Sequence, residues 1–266
     1  ATGLLGGLLT ASTVTADPLP GIFIQIPRID VGDVFGTGDW ETKIQIQNLS
    51  PLASTVTVRF WGAYSELCPT NDPGFFYETE MWIPGNGVWT LHNQIPDGAE
   101  SAFVGFVGAP VRPLAVTVDR WGPDSYGDVE ISSSYVGISE AMEGAGPPFM
   151  YFAPYVMHGY HDLDTTITIQ NSQDIGASVW IYYKQEGNCE FQCSQHVECL
   201  APGESIRIGP GDDADLPFPA CVTRNWLGSA YLTANVPLGI VVDQLSHSPS
   251  LNRGTLLSMR GKPYQQ

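Results

Sequence analysis

Two stretches of the chain alternate apolar and polar side chains at a period of two, and they do so with nearly the same residues. The first is Thr42-Lys43-Ile44-Gln45-Ile46-Gln47-Asn48, followed after a short gap by Val56-Thr57-Val58-Arg59-Phe60. The second is Thr165-Thr166-Ile167-Thr168-Ile169-Gln170-Asn171, followed by Val179-Trp180-Ile181-Tyr182-Tyr183. Matched positions lie 123 residues apart (165 − 42). A period of two is the mark of a strand with one face buried, so each stretch predicts two strands joined at a turn-forming Asn.

The neighbouring segments continue the pattern. In the first half these are Ile22 to Pro27, Phe75 to Ile83, Val88 to Leu91 after the turn Pro84-Gly85-Asn86-Gly87, Ala102 to Val107, Leu114 to Val118 and Glu130 to Val136. In the second half Phe152-Ala153-Pro154 matches the first strand, and Pro202-Gly203 before Ile206-Arg207-Ile208 matches the Pro-Gly turn. Trp226-Leu227-Gly228-Ser229 aligns with Phe103-Val104-Gly105-Phe106, and Pro237 to Asp243 aligns with Pro113 to Asp119, one residue further along. Leu256-Leu257-Ser258-Met259 is the last expected strand. No long stretch shows a 3.6-residue period. Short strands separated by regular turn signals predict an all-β protein of two tandem antiparallel β-sandwich domains, Ig-like or jelly-roll-like. The expected boundaries are a tail at 1–22, sandwiches at 23–140 and 149–266, and a Gly/Pro linker at 141–148.

The combination of an I-x-I-Q-N strand, a V-x-V-x-[FY] strand, a Pro-Gly turn and a P-L-x-x-x-V-[DN] strand resembles a β-sandwich module of large secreted surface proteins of filamentous environmental bacteria. The resemblance covers residues 23–138 and, more loosely, 151–260. It implies cell-surface or extracellular architecture and supplies no catalytic residues. The apolar tail and a Cys-rich insertion at 187–221 depart from it.

Composition narrows the function classes. The formal charge is −17, with three lysines (Lys43, Lys184 and Lys262). Such a chain is repelled by nucleic acid and by anionic membrane surfaces. No 18-residue apolar span is present, so no transmembrane helix is expected. The sequence begins Ala1-Thr2-Gly3 without Met, as after removal of a leader, which favours export.

The tail is apolar: Leu4, Leu5, Leu8, Leu9 and Val14 accompany one charged residue, Asp17. It falls outside the repeat. A segment of this kind suits either the edge of its own domain or donation as an extra strand to a neighbouring subunit. At about 25 cal/mol per Å² of apolar surface, burying five such side chains contributes several kcal/mol per joint.

Five cysteines, Cys68, Cys189, Cys193, Cys199 and Cys221, are disulfide candidates in an exported β-protein, and the odd number leaves one thiol over. Zinc is the rival for them, but the spacing lacks a C-x2-C knuckle. His158, His161, Asp162 and Asp164 are candidate metal ligands in seven residues, set against an ordinary polar connection between strands. Gly209 to Asp215 is acidic enough for Ca²⁺ but lacks the EF-hand spacing. Asp119 and Asp243 recur at matched positions, which argues for a repeated structural role such as capping a turn rather than for paired acid–base catalysis. Asn48-Leu49-Ser50 is a glycosylation sequon. Trp61, Trp82, Trp89, Trp121 and Trp180 are candidates to point outward, onto a sugar or a protein partner. No nucleophile elbow or phosphate loop occurs.

These features predict a non-enzymatic extracellular protein without a resident cofactor. It would be a homopolymeric filament or surface-layer subunit joined by strand donation. The second expectation is a carbohydrate-binding or adhesive module, with polysaccharide as its partner.

Overall fold

The computed structural model describes residues 24–33, 39–62, 75–107, 112–123, 130–136, 138–139, 148–171, 173–210, 214–246, 256–260 and 262–263. The tail and Cys68 lie outside these residues. Every regular element described is a β-strand. The first ten are β1 (Ile24–Ile26), β2 (Gly32–Asp33), β3 (Asp39–Asn48), β4 (Ser54–Trp61), β5 (Phe75–Ile83), β6 (Val88–Leu91), β7 (Ser101–Phe106), β8 (Leu114–Pro123), β9 (Glu130–Val136) and β10 (Ile138–Ser139). The rest are β11 (Phe149–His158), β12 (Leu163–Asn171), β13 (Ala177–Gln185), β14 (Cys193–Leu200), β15 (Ser205–Gly209), β16 (Leu216–Pro217), β17 (Trp226–Ala234), β18 (Leu238–Ser246), β19 (Leu256–Arg260) and β20 (Lys262–Pro263).

In the first half, sheet β10-β1-β7-β4-β5 faces sheet β2-β3-β8-β9, with β6 on the other side of β3. In the second half, β14-β13-β17-β11-β20 faces β16-β15-β12-β18-β19. The alternation decides which side chains fill each core. Ile44, Ile46, Val56, Val58 and Phe60 are fully buried in one hydrophobic cluster, and Ile167, Ile169, Val179, Ile181 and Tyr183 in another.

Register fixes the internal alignment. Ile46 pairs with Trp89 and Val116, and Ile169 pairs with Ile206 and Ile240. Gln25-Ile26-Pro27 and Phe152-Ala153-Pro154 coincide, because Ile26 faces Ala102 as Ala153 faces Ala230. The alignment of Phe103-Val104-Gly105-Phe106 with residues 226–229 does not hold. Val58 faces Val104 while Ile181 faces Leu232, so Val104 corresponds to Leu232. The cause is a longer β17, whose first residues pair with the end of β11, where Trp226 faces His158. The Pro-Gly turns are offset by one residue for a similar reason: the left-handed position is Asn86 (φ 56°) in one half and Gly203 (φ 77°) in the other.

The repeated Asn is a staple. Asn48 is fully buried; its Nδ2 donates to the carbonyls of Leu52 (2.8 Å) and Pro84 (3.2 Å), and its Oδ1 accepts from Ser50 N. Asn171 repeats this with Ile175 O, Leu200 O and Gln173 N. Each satisfies turn carbonyls and ties the hairpin to the end of the next strand. The sequon is therefore structural, since a buried amide nitrogen already committed to these carbonyls leaves no room for a glycan.

The two halves meet through a face that only one of them covers. Thr168, Gln170, Ser205, Val241 and Asp243 point away from the second core, yet all are buried. Val241 belongs to the first half's cluster, and Gln170 Nε2 donates to Ala102 O at 3.1 Å. Gly203 permits the approach: a Cβ there would lie 2.0 Å from the Trp61 ring, and its φ is left-handed. The corresponding face of the first half is open. Gln47 and Thr117, the register counterparts of Gln170 and Val241, are exposed.

Gly203→Ala should therefore combine a left-handed φ with a clash against a buried indole and cost about 2 kcal/mol or more. Gly187→Ala, also left-handed (φ 80°) but with open space around it, should cost about 1 kcal/mol. Urea denaturation of both variants checks the difference.

Candidate functional site

The seam between the halves is built on four charged side chains. Arg28 Nε donates to both oxygens of Asp30 (3.0 and 3.1 Å), and its Nη1 donates to Asp243 Oδ2 at 3.0 Å. Arg120 Nη1 donates to Asp30 Oδ2 (2.7 Å) and Asp243 Oδ2 (3.1 Å); Nη2 donates to Asp243 Oδ1 (2.7 Å) and Ser133 Oγ (3.3 Å). All four side chains are at most 2% exposed. Three come from the first half and Asp243 comes from the second.

Local structure places each one. The segment after β1 is pinned by Ile29 N donating to Glu100 O and by Thr42 Oγ1, which accepts from Asp30 N and donates to Asp30 O. Arg120 and Asp243 project from β8 and β18. Burial opposes ionisation of both Arg28 and Asp30, but the opposite charges outweigh it. Arg28 and Arg120 hold the Asp30 carboxyl below its ordinary range, and Asp30 and Asp243 hold the Arg28 guanidinium above its own. Two positive and two negative charges, paired with one another and closed to solvent, make a lock between the halves.

A second cross-seam pair behaves differently. Arg207 Nη2 donates to Glu100 Oε1 at 2.9 Å, yet Glu100 is pushed above its ordinary value. Burial is the larger effect, Arg207 opposes it, and neighbouring Asp215 adds to it.

The expected metal ligands form a hairpin. Tyr160 bridges Leu163 around His161 (φ 51°) and Asp162 (φ 60°), two consecutive left-handed residues, as a type I′ turn requires. Asp164 Oδ1 accepts from Gly159 N (2.7 Å) and contacts His158 Nδ1 (3.1 Å), so it braces the turn. Among the described residues no three His, Cys, Asp or Glu side chains converge as a metal group. Asp119 and Asp243 are register counterparts, facing Lys43 and Thr166, but they do not share a role and neither caps a turn. Asp119 is part-exposed on the open face and bonds Lys43 (2.8 Å) and Ser134 (2.7 Å).

The cysteines split. Cys193 and Cys221 are bonded, Cys199 is also disulfide-bonded, and Cys189 is free and exposed. Cys193 and Cys199 lie on strand β14 rather than in an inserted loop, because β14 pairs with β13 as β5 pairs with β4.

Of the tryptophans, Trp61 (7% exposed) fills the seam and Trp89 (6%) fills the core, both against expectation. The Trp61 ring occupies the space that Gly203 leaves, and Trp89 packs beside Ile46 across the β3–β6 pair. Trp121 is half-buried beside His92. Trp82 and Trp180 do point outward, at 63% and 41% exposed. Trp180 stacks on His196 (4.1 Å, 10°) and aligns with Tyr182 (6.3 Å, 20°). Tyr182, Phe191, Tyr231 and Phe152 extend the row across the second half's outer face.

The first half has an open side. Strand β5 pairs with β4 and ends its sheet among the described residues. Its outward-facing Phe76 and Trp82 are exposed, and so are Tyr77 (42%) and Met81 (40%), which lie on the core face opposite Phe60 and Val56.

Neither a family model nor a curated protein matches the chain. Among solved structures, the crystal structure of Thermotoga maritima 1070 aligns at 20% identity over 46% of this chain and 96% of that one, with a TM-score of 0.35.

Removing one partner from the lock strands a buried charge. Asp243→Asn should cost about 3–5 kcal/mol, and Asp119→Asn, from a part-exposed pair, under about 1 kcal/mol. Glu100→Gln should be neutral or stabilising at pH 7, because it removes a carboxylate that burial already disfavours. Because Asp30 is held below its ordinary value of 3.8, its contribution is complete above that pH and is lost as the pH falls from there through its lower folded value. Chemical denaturation of the three variants, and of the wild type across the acid range, checks these signs.

Proposed function

We propose that this chain is a structural subunit of an extracellular filament or surface layer, joined by donation of its N-terminal apolar strand to a neighbouring copy. The observation that carries this is the open side of the first half. Met81 and Tyr77 of the edge strand β5 lie on the core face yet stand in solvent, so the side of the sandwich beneath β5 is left for another chain to cover. The tail has the complementary composition. Head-to-tail use of one donor and one acceptor per copy does not close, so it propagates.

Support for an oxidising, extracellular setting comes from the Cys193–Cys221 disulfide, whose bridge spans 28 residues. The resemblance to secreted surface modules points the same way. No helix among the described residues is long and apolar enough to cross a membrane.

A second reading, polysaccharide adhesion, rests on the Trp180–His196–Tyr182 row. Near-parallel rings stacked along a sheet face offer aromatic surface against which a pyranose ring can pack. A shallow depression of about 400 Å³, lined by Ser178, Trp180, Thr233 and Asn235, offers polar groups beside them.

Electron microscopy of the full chain and of a variant lacking residues 1–16 separates these readings. The proposal expects regular fibres from the first and monomers from the second. Fibres from both would rule out strand donation, and a fibre-free wild type that binds polysaccharide would favour adhesion.

A further inference from the structure

The two halves differ at one strand position, and the difference points to where a donated strand goes. In the second half, the chain between β15 and β17 turns back and lays β16 parallel to β15, with Ile208 facing Leu216 and Gly209 facing Pro217. The following residues close the sandwich beneath β14. Phe218 packs edge-on against Tyr183 (5.9 Å), Gln195 Nε2 donates to Pro217 O (3.2 Å), and Cys221 is bonded to Cys193. Under this cover Val197 is only 2% exposed.

The first half lacks that cover among its described residues. The connection from β6 to β7 runs from His92 to Glu100, nine residues against the sixteen from Pro210 to Asn225. Nothing described pairs with β6 on the side away from β3. Register makes Met81 the counterpart of Val197 and Tyr77 the counterpart of Cys193, since they face Val56 and Phe60 as the others face Val179 and Tyr183. Met81 is 40% exposed where Val197 is closed. The backbone is ready as well. Asn48 N donates to Gly87 O, so in the alternating antiparallel ladder Trp89 and Leu91 bond β3 while Val88 and Thr90 turn their N–H and C=O outward. At the matched edge of the second half, the outward Arg207 N is satisfied by Asp215.

We infer that the slot beside β6 and beneath β5 is the acceptor for residues 4–15 of a second copy of this chain, which enters where β16 lies in the other half. This rests on the strand-donation reading and names its site. Apolar side chains of the tail would cover Met81 and Tyr77, as Leu216 and Phe218 serve the second core. The order of the strands favours a neighbour as the source. The described chain starts at Ile24 in β1, with β7 and β4 between it and β5. Its own tail would have to cross the outer face of β4 and β5, where Arg59 and Trp82 stand in solvent.

Two variants test the slot. Thr90→Pro removes an outward N–H while leaving the β3 ladder intact. It should keep the wild-type melting temperature within a few degrees and lose fibres. For the second, chains carrying Met81→Cys are mixed with chains carrying one of Leu4→Cys, Leu5→Cys, Leu8→Cys or Leu9→Cys, all with Cys189→Ser. At least one pair should give a disulfide-linked dimer under mild oxidation. Fibres from a folded Thr90→Pro chain, or no intermolecular link from any pair, would overturn the slot. A link formed only within chains carrying both cysteines would assign it to the chain's own tail. If fibres still require residues 1–16 in either case, strand donation survives and only its site is wrong.

Discussion

Two arginines and two aspartates removed from water cannot be separated cheaply. Each is held by the opposite charges of the other pair, and deleting any one leaves the others uncompensated in a dry seam. Arg28, Asp30 and Arg120 are set by the first half's strands and Asp243 by the second's, so the cluster allows one placement of the halves. The surrounding contacts follow from that placement. Gly203 has no side chain because Trp61 lies against it, and Gln170 is buried because it reaches across to Ala102.

The same constraint explains why two similar halves are not interchangeable. The lock needs an arginine after the first strand and another on β8. Their counterparts by register in the second half are Tyr155, 61% exposed, and Gln244. Asp119, the counterpart of Asp243, is neutralised by Lys43 within its own sheet. The contact between halves is thus made once and is not available to be repeated from copy to copy. Any assembly must use other surfaces. Among the described residues the asymmetry leaves the aromatic row of the second half, the open β3–β8 face of the first and the uncovered side beneath β5.

The strands and their inward faces were legible because each has one wet and one dry face, and a period of two records that directly. The Asn turns were legible because Asn48 and Asn171 solve the same backbone problem. The lock was not, since its members are as far apart as 215 residues and look like ordinary surface charge in alternating strands. Thr168 and Gln170 do not reveal it, because Gln45 and Gln47 at the matched positions of the open face are equally uncharged and polar. The tract from His158 to Asp164 misled because histidine and aspartate suit metals and tight turns equally, and backbone φ decides between them. Trp61 misled because its partner, Gly203, lies in the other half. Gly105 and Gly228 are alike in sequence but not in register, since Gly105 faces Thr57 and its counterpart Thr233 faces Trp180.

The most direct test of the lock is scanning calorimetry of the full chain at neutral pH. If the seam fixes the halves as one unit, unfolding is a single transition whose calorimetric and van't Hoff enthalpies agree. Two separated transitions, each with about half the total enthalpy, would show that the halves unfold independently and that the buried charges do not bind them together.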